Sequence, residues 1–123
     1  MSNNDIDRKI AVIFATDLVG YSKHMEKDEN ATLRGLRECN KIIEIIIKKQ
    51  KGRIFNTGGD SVFAEFPSAV AAVDTAVEFQ NQIKARNEKD TTDIKLEYRI
   101  GINMGDVVKE GDNLLGDGVN IAA

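Results

Sequence analysis

The chain has 123 residues, 41% of them hydrophobic and 30% charged, with a net charge of −3 and a sequence pI near 5.2. That length allows one domain with one core, and the mild acidity announces no nucleic acid or acidic membrane as partner. A single cysteine, Cys39, and a single histidine, His24, exclude an internal disulfide framework, a cysteine zinc site and histidine metal clusters within this chain.

No run approaches the length of a membrane span. Residues 1–8 lack the apolar core of a signal peptide and read as a flexible N-terminus. A cytoplasmic setting is expected, and membrane tethering of a longer parent stays open. Lys9 to Thr16 predicts a strand, and its continuous apolar run predicts burial on both faces. Asp17 to Lys27 reads as a loop or short helical turn. From about Asn30 to Lys51 the residues Leu33, Leu36, Ile43, Ile46 and Ile47 recur at helical spacing. Gly52 suits the C-cap of that helix.

Arg53–Asn56 and Ser61–Phe66 predict two strands around Thr57-Gly58-Gly59-Asp60, a hairpin signal. Pro67 bars continuation of the second strand, and Ser68 is a candidate cap for a helix with an apolar face at Ala69, Val73, Ala76 and Ile83. Arg86–Asp93 reads as a charged loop. Ile94, Leu96, Tyr98, Ile100 and Ile102 alternate onto one face of a strand that Gly105 is expected to break. Glu110 to Asn113 reads as a turn, and Leu114 to Ala123 as the start of another helix. The order β-α-β-β-α-β predicts an α+β fold, a ferredoxin-like or palm-type sheet with helices packed on one face. That fold hosts many activities and decides none.

Asp17 and Asp60 each stand where an apolar strand meets a glycine turn. Two close carboxylates repel, and a dication relieves the repulsion. Magnesium often takes one or two carboxylates and completes its shell with substrate phosphates. The backbone of Val19-Gly20-Tyr21-Ser22 offers amides for a phosphate cradle if a helix begins there. Aspartates at turns are more often simple caps. Their placement on the first strand and the central hairpin of a palm-like pattern favours metal-assisted nucleotide chemistry instead.

Three stretches resemble class III nucleotidyl cyclases. Phe14-Ala-Thr-Asp17-Leu-Val-Gly20-Tyr21-Ser22 is similar to their first metal motif. Asn56-Thr57-Gly58-Gly59-Asp60 with Phe63-Ala-Glu-Phe66 is similar to the second. Arg99-Ile-Gly101-Ile-Asn-Met-Gly105, followed by Gly116-Asp-Gly118-Val119-Asn120-Ile-Ala-Ala123, is similar to the stretch that leads into the catalytic helix. The resemblance covers 9–123, read as the N-terminal portion of a cyclase catalytic domain whose C-terminal part is missing. It implies conversion of ATP to 3′,5′-cyclic AMP and pyrophosphate. It implies two Mg2+ or Mn2+ ions held by Asp17, Asp60 and the Leu18 carbonyl. It further implies Asn120 as the ribose-orienting residue. Sites would be shared across a head-to-tail homodimer, metals from one copy and base-reading groups from the other, within a longer parent able to carry regulatory domains.

The match departs from the family pattern in two places. Asn56 and Asn113 occupy positions where adenylate cyclases usually carry lysine and aspartate; an amide both donates and accepts, so it serves adenine or guanine with less discrimination than a charged pair. ATP remains the favoured substrate, with Asp112 an alternative to Asn113. The family pattern also continues into an arginine immediately after the last residue present, and loss of such a donor costs on the order of 10²–10³ in rate, so low turnover is expected of this chain. A degenerate module that binds nucleotide or only dimerises is the main alternative, and a guanylate or diguanylate cyclase a weaker one. Cys39 reads as a packing residue.

Overall fold

The apolar run at Ile10–Phe14 becomes the middle strand of a five-stranded sheet. The computed structural model describes residues 7–90 and 94–122, without the side chains of Asp117, Asn120 and Ile121. Strand β1 spans Asp7–Leu18, so Asp7 and Arg8, within the stretch expected to be flexible, already pair with Lys109 and Val108. Helices α1 (Tyr21–Lys27) and α2 (Glu29–Lys49) follow, then the hairpin β2 (Arg53–Gly58) and β3 (Ser61–Phe66), α3 (Ala69–Lys89), β4 (Tyr98–Glu110), β5 (Asn113–Leu115) and α4 (Asp117–Ala122). The strand order is β2-β3-β1-β4-β5, and every pairing is antiparallel. This is the ferredoxin-like arrangement that the element order predicts.

Burial on both faces of β1 follows from its alternation. Val12, Phe14 and Leu18 point to α2 and α3 and join Ile43, Ile47, Phe79 and Leu96 in the larger core. Ala11, Ile13 and Ala15 point the other way and pack with Val107, Leu114 and Ala122. The two long helices thus share one face, and the short α4 lies on the other. Cys39 is fully buried, and burial pushes its thiol up, as burial does the neighbouring Tyr98 hydroxyl, so both stay neutral packing groups.

Several boundaries differ from the sequence reading for identifiable reasons. Helix α2 starts one residue earlier than about Asn30, because the Asp28 carboxylate accepts from the Ala31 amide at 3.0 Å. Ser68 caps α3 as expected, its hydroxyl accepting from Ala71 at 3.1 Å. That helix runs to Lys89, through residues read as a loop. Arg86 holds it there, bonding Glu38 at 3.1 Å and Asp90 at 3.4 Å; residues 91–93 of that reading lie outside the described ones. Ile94 and Leu96 are buried but precede the strand. Gly105 does not break β4: it pairs with Ala11, and a Cβ there would sit 3.3 Å from the Asn103 amide, so its smallness makes room on the α4 face.

Gly52 is not the left-handed cap of α2. Lys51 takes that conformation, at φ 61, while a Cβ at Gly52 would lie 2.6 Å from the Phe66 ring. Left-handed backbone costs an ordinary residue about 1 kcal/mol. Lys51→Gly is therefore expected to stabilise the chain by about that amount, read as a higher denaturation midpoint at unchanged m-value. A lower midpoint would mean that the lysine side chain itself supports the fold.

Candidate functional site

β1 extends to Leu18, so Asp17 is a strand residue rather than the first residue of a loop. Its cross-strand partner on β4 is Arg99. The guanidinium grips the carboxylate with both edges, Nε to Oδ1 at 3.0 Å and Nη2 to Oδ2 at 2.7 Å. The Arg99 pKa is raised, first by the hydrogen bond to Asp17 and then by that residue's charge. On the other flank, the β2–β3 hairpin closes through Gly59 at φ 56, the glycine-first pattern of a tight two-residue turn. Asp60 is the second residue of that turn, and its Oδ2 accepts from the Leu18 amide at 2.9 Å. One hydrogen bond across 42 residues thus brings the second carboxylate to the strand end that carries the first.

Behind them Gly20, at φ 67, turns the chain into α1, and its carbonyl accepts from His24 at 3.0 Å. The amides that open a helix have no intrahelical partner, and in α1 these are the amides of Tyr21 and Ser22. Val19 is different: its amide donates to the Glu97 carbonyl at 2.8 Å, so it is not available to a phosphate. The Leu18 side chain is buried in the core, and only its backbone faces the aspartates. A groove of 360 Å³ runs beside Asp17, Ser61, Phe63, Arg99 and Gly101 to the end of α4 at Ala122. A larger hollow of 720 Å³, between α3 and Lys95–Tyr98, contains neither aspartate.

Helix α4 reaches this groove because Gly101 and Gly105 of β4 leave room beneath it. A Cβ at Gly101 would fall on the Ala122 carbonyl oxygen, and one at Gly118 would lie 2.7 Å from the Asp106 carbonyl. Asn103 donates to the Gly118 carbonyl at 3.0 Å and pins the helix. Asn120 belongs to α4, and its side chain lies outside the described residues.

Asn56 lies on the hairpin that carries Asp60, and Asn113 is placed elsewhere. Asn56 follows a register shift in β2 and is exposed. Asn113 opens β5 opposite Glu110, next to the Asp7–Lys109 pair, at the far end of β1 from Asp17. The Asn113 Oδ1 accepts from the Leu114 amide at 2.9 Å. Asp112 contributes its carbonyl, to Arg53 at 2.6 Å. One chain therefore gathers Asp17, Asp60 and the Leu18 backbone, and Asn113 stands apart from them.

The donor set suits a hard dication. Among the described residues no three acidic, histidine or cysteine side chains form a closed cage. Two carboxylates meet the requirement of an ion that completes its shell with phosphate oxygens, and Arg99 already supplies positive charge at Asp17. Sequence reasoning gives Lys23, Arg53 and Arg99 no place at the site; for Arg99 the register opposite Asp17 is the signal that finds it. Its head is mostly exposed, at 71% against 36% for Asp17, so the pair is weak and exchangeable. Arg99→Gln is expected to leave the thermal midpoint nearly unchanged and to tighten Mn2+ binding by the nucleotide-free chain, because a competing cation is gone. Weaker Mn2+ binding in this variant would show that Asp17 is not a ligand.

No protein-family profile matches the chain. It is 40% identical over 124 residues to a Rhizobium meliloti protein named "Putative adenylate cyclase 3", across all of this chain and 21% of that protein. The adenylate/guanylate cyclase/hydrolase from Silicibacter pomeroyi superposes with a TM-score of 0.85 and 36% identity, over 96% of this chain and 69% of that one. The adenylyl cyclase CyaB from P. aeruginosa superposes with a TM-score of 0.79 and 27% identity, over 96% and 71%. The chain belongs to the adenylate/guanylate cyclase family, the class III nucleotidyl cyclases. It spans about a fifth of the length of the curated relative it matches. Among the described residues no helix is long and apolar enough to cross a membrane.

Proposed function

We propose that the chain is the metal-binding portion of a cyclase catalytic domain that converts ATP to 3′,5′-cyclic AMP and pyrophosphate. The observation that carries this reading is the bond from the Leu18 amide to Asp60, which sets the hairpin-turn carboxylate at the strand end that carries Asp17, beside a groove. Two Mg2+ or Mn2+ ions held there by Asp17 and Asp60 would supply the charge that activates the ribose 3′-hydroxyl and neutralises the leaving phosphate. Asp17 and Asp60 hold that charge, with the Leu18 carbonyl beside them. Arg99 trades its grip on Asp17 for a phosphate oxygen, a bidentate exchange that a guanidinium suits. Gly20, Tyr21 and Ser22 offer the triphosphate the head of α1. Asn120 orients the ribose, and Asn56 with Asn113 reads the base.

The separation of Asn113 from Asp17 along β1 supports sites shared between two head-to-tail copies, one giving the metals and the other the base contacts. A cytoplasmic placement goes with ATP as substrate. The much longer R. meliloti relative leaves room for regulatory domains in a parent protein.

Production of cyclic AMP and cyclic GMP from ATP and GTP with Mn2+, by the chain and by a form extended past Ala123, tests this reading. Cyclic AMP in excess supports it, and cyclic GMP in excess reassigns the substrate. Nucleotide binding without product from either form favours the second reading, a non-catalytic module. Uncharged Asn56 and Asn113 are what favours that second reading.

A further inference from the structure

We propose that Arg53 is a positioning residue for nucleotide selection: it ties the turn carrying Asn113 to the strand carrying Asn56. The proposal rests on the base-reading assignment of that pair. β2 and β5 are opposite edges in the strand order, so no ladder bond joins them. They nevertheless touch, because the far half of β4 curls across the sheet with its hairpin. Phe55 of β2 packs on the apolar cluster that holds Leu114 of β5, and the polar link beside it is one guanidinium. Arg53 Nη1 donates to the Asp112 carbonyl at 2.6 Å, and Arg53 Nε donates to Glu65 Oε1 at 2.8 Å. The other oxygen of Glu65 is 2.8 Å from Lys9 Nζ. Four successive groups, from β1, β3, β2 and the β4–β5 turn, form one line.

The chemistry of the line makes it stiff. The Glu65 side chain is only 18% exposed. Burial would lift its pKa, but the hydrogen bonds from Lys9 and Arg53 outweigh burial and hold it below the ordinary carboxylate range. It stays ionised and anchors Arg53, whose planar fork then aims Nη1 at the turn. That turn needs anchoring, since it closes through Gly111 at φ 60 and β5 is only three residues long. Asn113 adjoins Asp112, and with its Oδ1 on the Leu114 amide the orientation of the turn sets where its NH2 group points. Asn56 stands three residues beyond Arg53, after the register shift. Arg53 is bonded beside one base-reading candidate and shares a strand with the other.

The test compares wild type, Arg53→Ala, Arg53→Lys and Glu65→Gln. Affinities for ATP, GTP and tripolyphosphate are measured with Mn2+, alongside amide exchange of residues 111–115. Arg53→Ala is expected to move the ATP-to-GTP affinity ratio toward unity by about 2- to 10-fold, the net worth of one hydrogen bond. Exchange in the turn should quicken, and tripolyphosphate affinity should hold. Arg53→Lys, with the charge but not the fork, should fall between. If Arg53→Ala fails to fold, Glu65→Gln loosens the same line more gently and carries the same expectation. An unchanged ratio despite faster exchange overturns the proposal, and so does a changed ratio with exchange unaltered. Wild type that binds tripolyphosphate but treats ATP and GTP alike removes the base-reading assignment and this proposal with it, and leaves the metal-side reading standing.

Discussion

In the form extended past Ala123, Asp17→Asn and Asp60→Asn are each expected to reduce Mn2+-dependent cyclic nucleotide production by at least on the order of 10³, while the protein still folds. Each change removes one unit of negative charge from the place where a dication must sit, yet keeps the side-chain shape. The two positions are not equivalent in stability. Asp60 also accepts from the Leu18 amide. An asparagine oxygen can still take that bond, but as a neutral acceptor it is weaker by about 1 kcal/mol. Asp17→Asn loses half of its grip on an exposed arginine, where little stability resides. The expected pattern is therefore two dead variants, one of them slightly less stable. Product assays paired with denaturation curves check it. Normal turnover in either variant would remove the two-carboxylate assignment, whatever the stability result.

Gly101→Ala is expected to lower activity without removing a charged group. The added methyl has nowhere to go, because it falls on the backbone oxygen of Ala122 and backbone cannot swing aside as a flexible side chain can. Either α4 lifts from β4 or the strand bends. Overpacking of this kind costs about 1–3 kcal/mol, and lifting α4 pulls Ala122 out of the second core and shifts the helix that carries Asn120. Turnover should fall by about 10²-fold or more, as expected for a misplaced reacting group. Gly58→Ala is the stability control: a Cβ there meets nothing within 4 Å, so the midpoint should barely move. Equal stability loss in both variants would mean that α4 does not lie on Gly101 in solution.

Local pattern carried much of the architecture into the sequence reading. The unbroken apolar run at Ile10–Phe14, the helical spacing from Leu33 to Ile47, the glycines before Asp60 and the alternation from Ile94 to Ile102 are each set within a few residues. Element order then follows from their sequence, and a ferredoxin-like topology from element order. The boundaries that differed were set by side chains from distant elements. Arg86 keeps helical because Glu38 and Asp90 receive it. Gly105 stays in a strand because Ala11 pairs with it. Gly52 is small because Phe66 lies against it.

The division at the site has the same cause. Residue types and glycine spacing alone pointed to Asp17 and Asp60, since carboxylates beside flexible turns are a local pattern. That the two meet depends on a bond between residues 42 apart. That Arg99 faces Asp17 depends on the β1–β4 register, across 82 residues. That Asn113 stands away from the aspartates, with its turn held by Arg53, depends on how far β4 curls. The sequence by itself determined which groups are present and which strands and turns carry them, because those preferences act over a few neighbouring residues. Only the tertiary structure decided which groups share a site, because strand register and sheet curl are settled by packing between elements far apart in the chain.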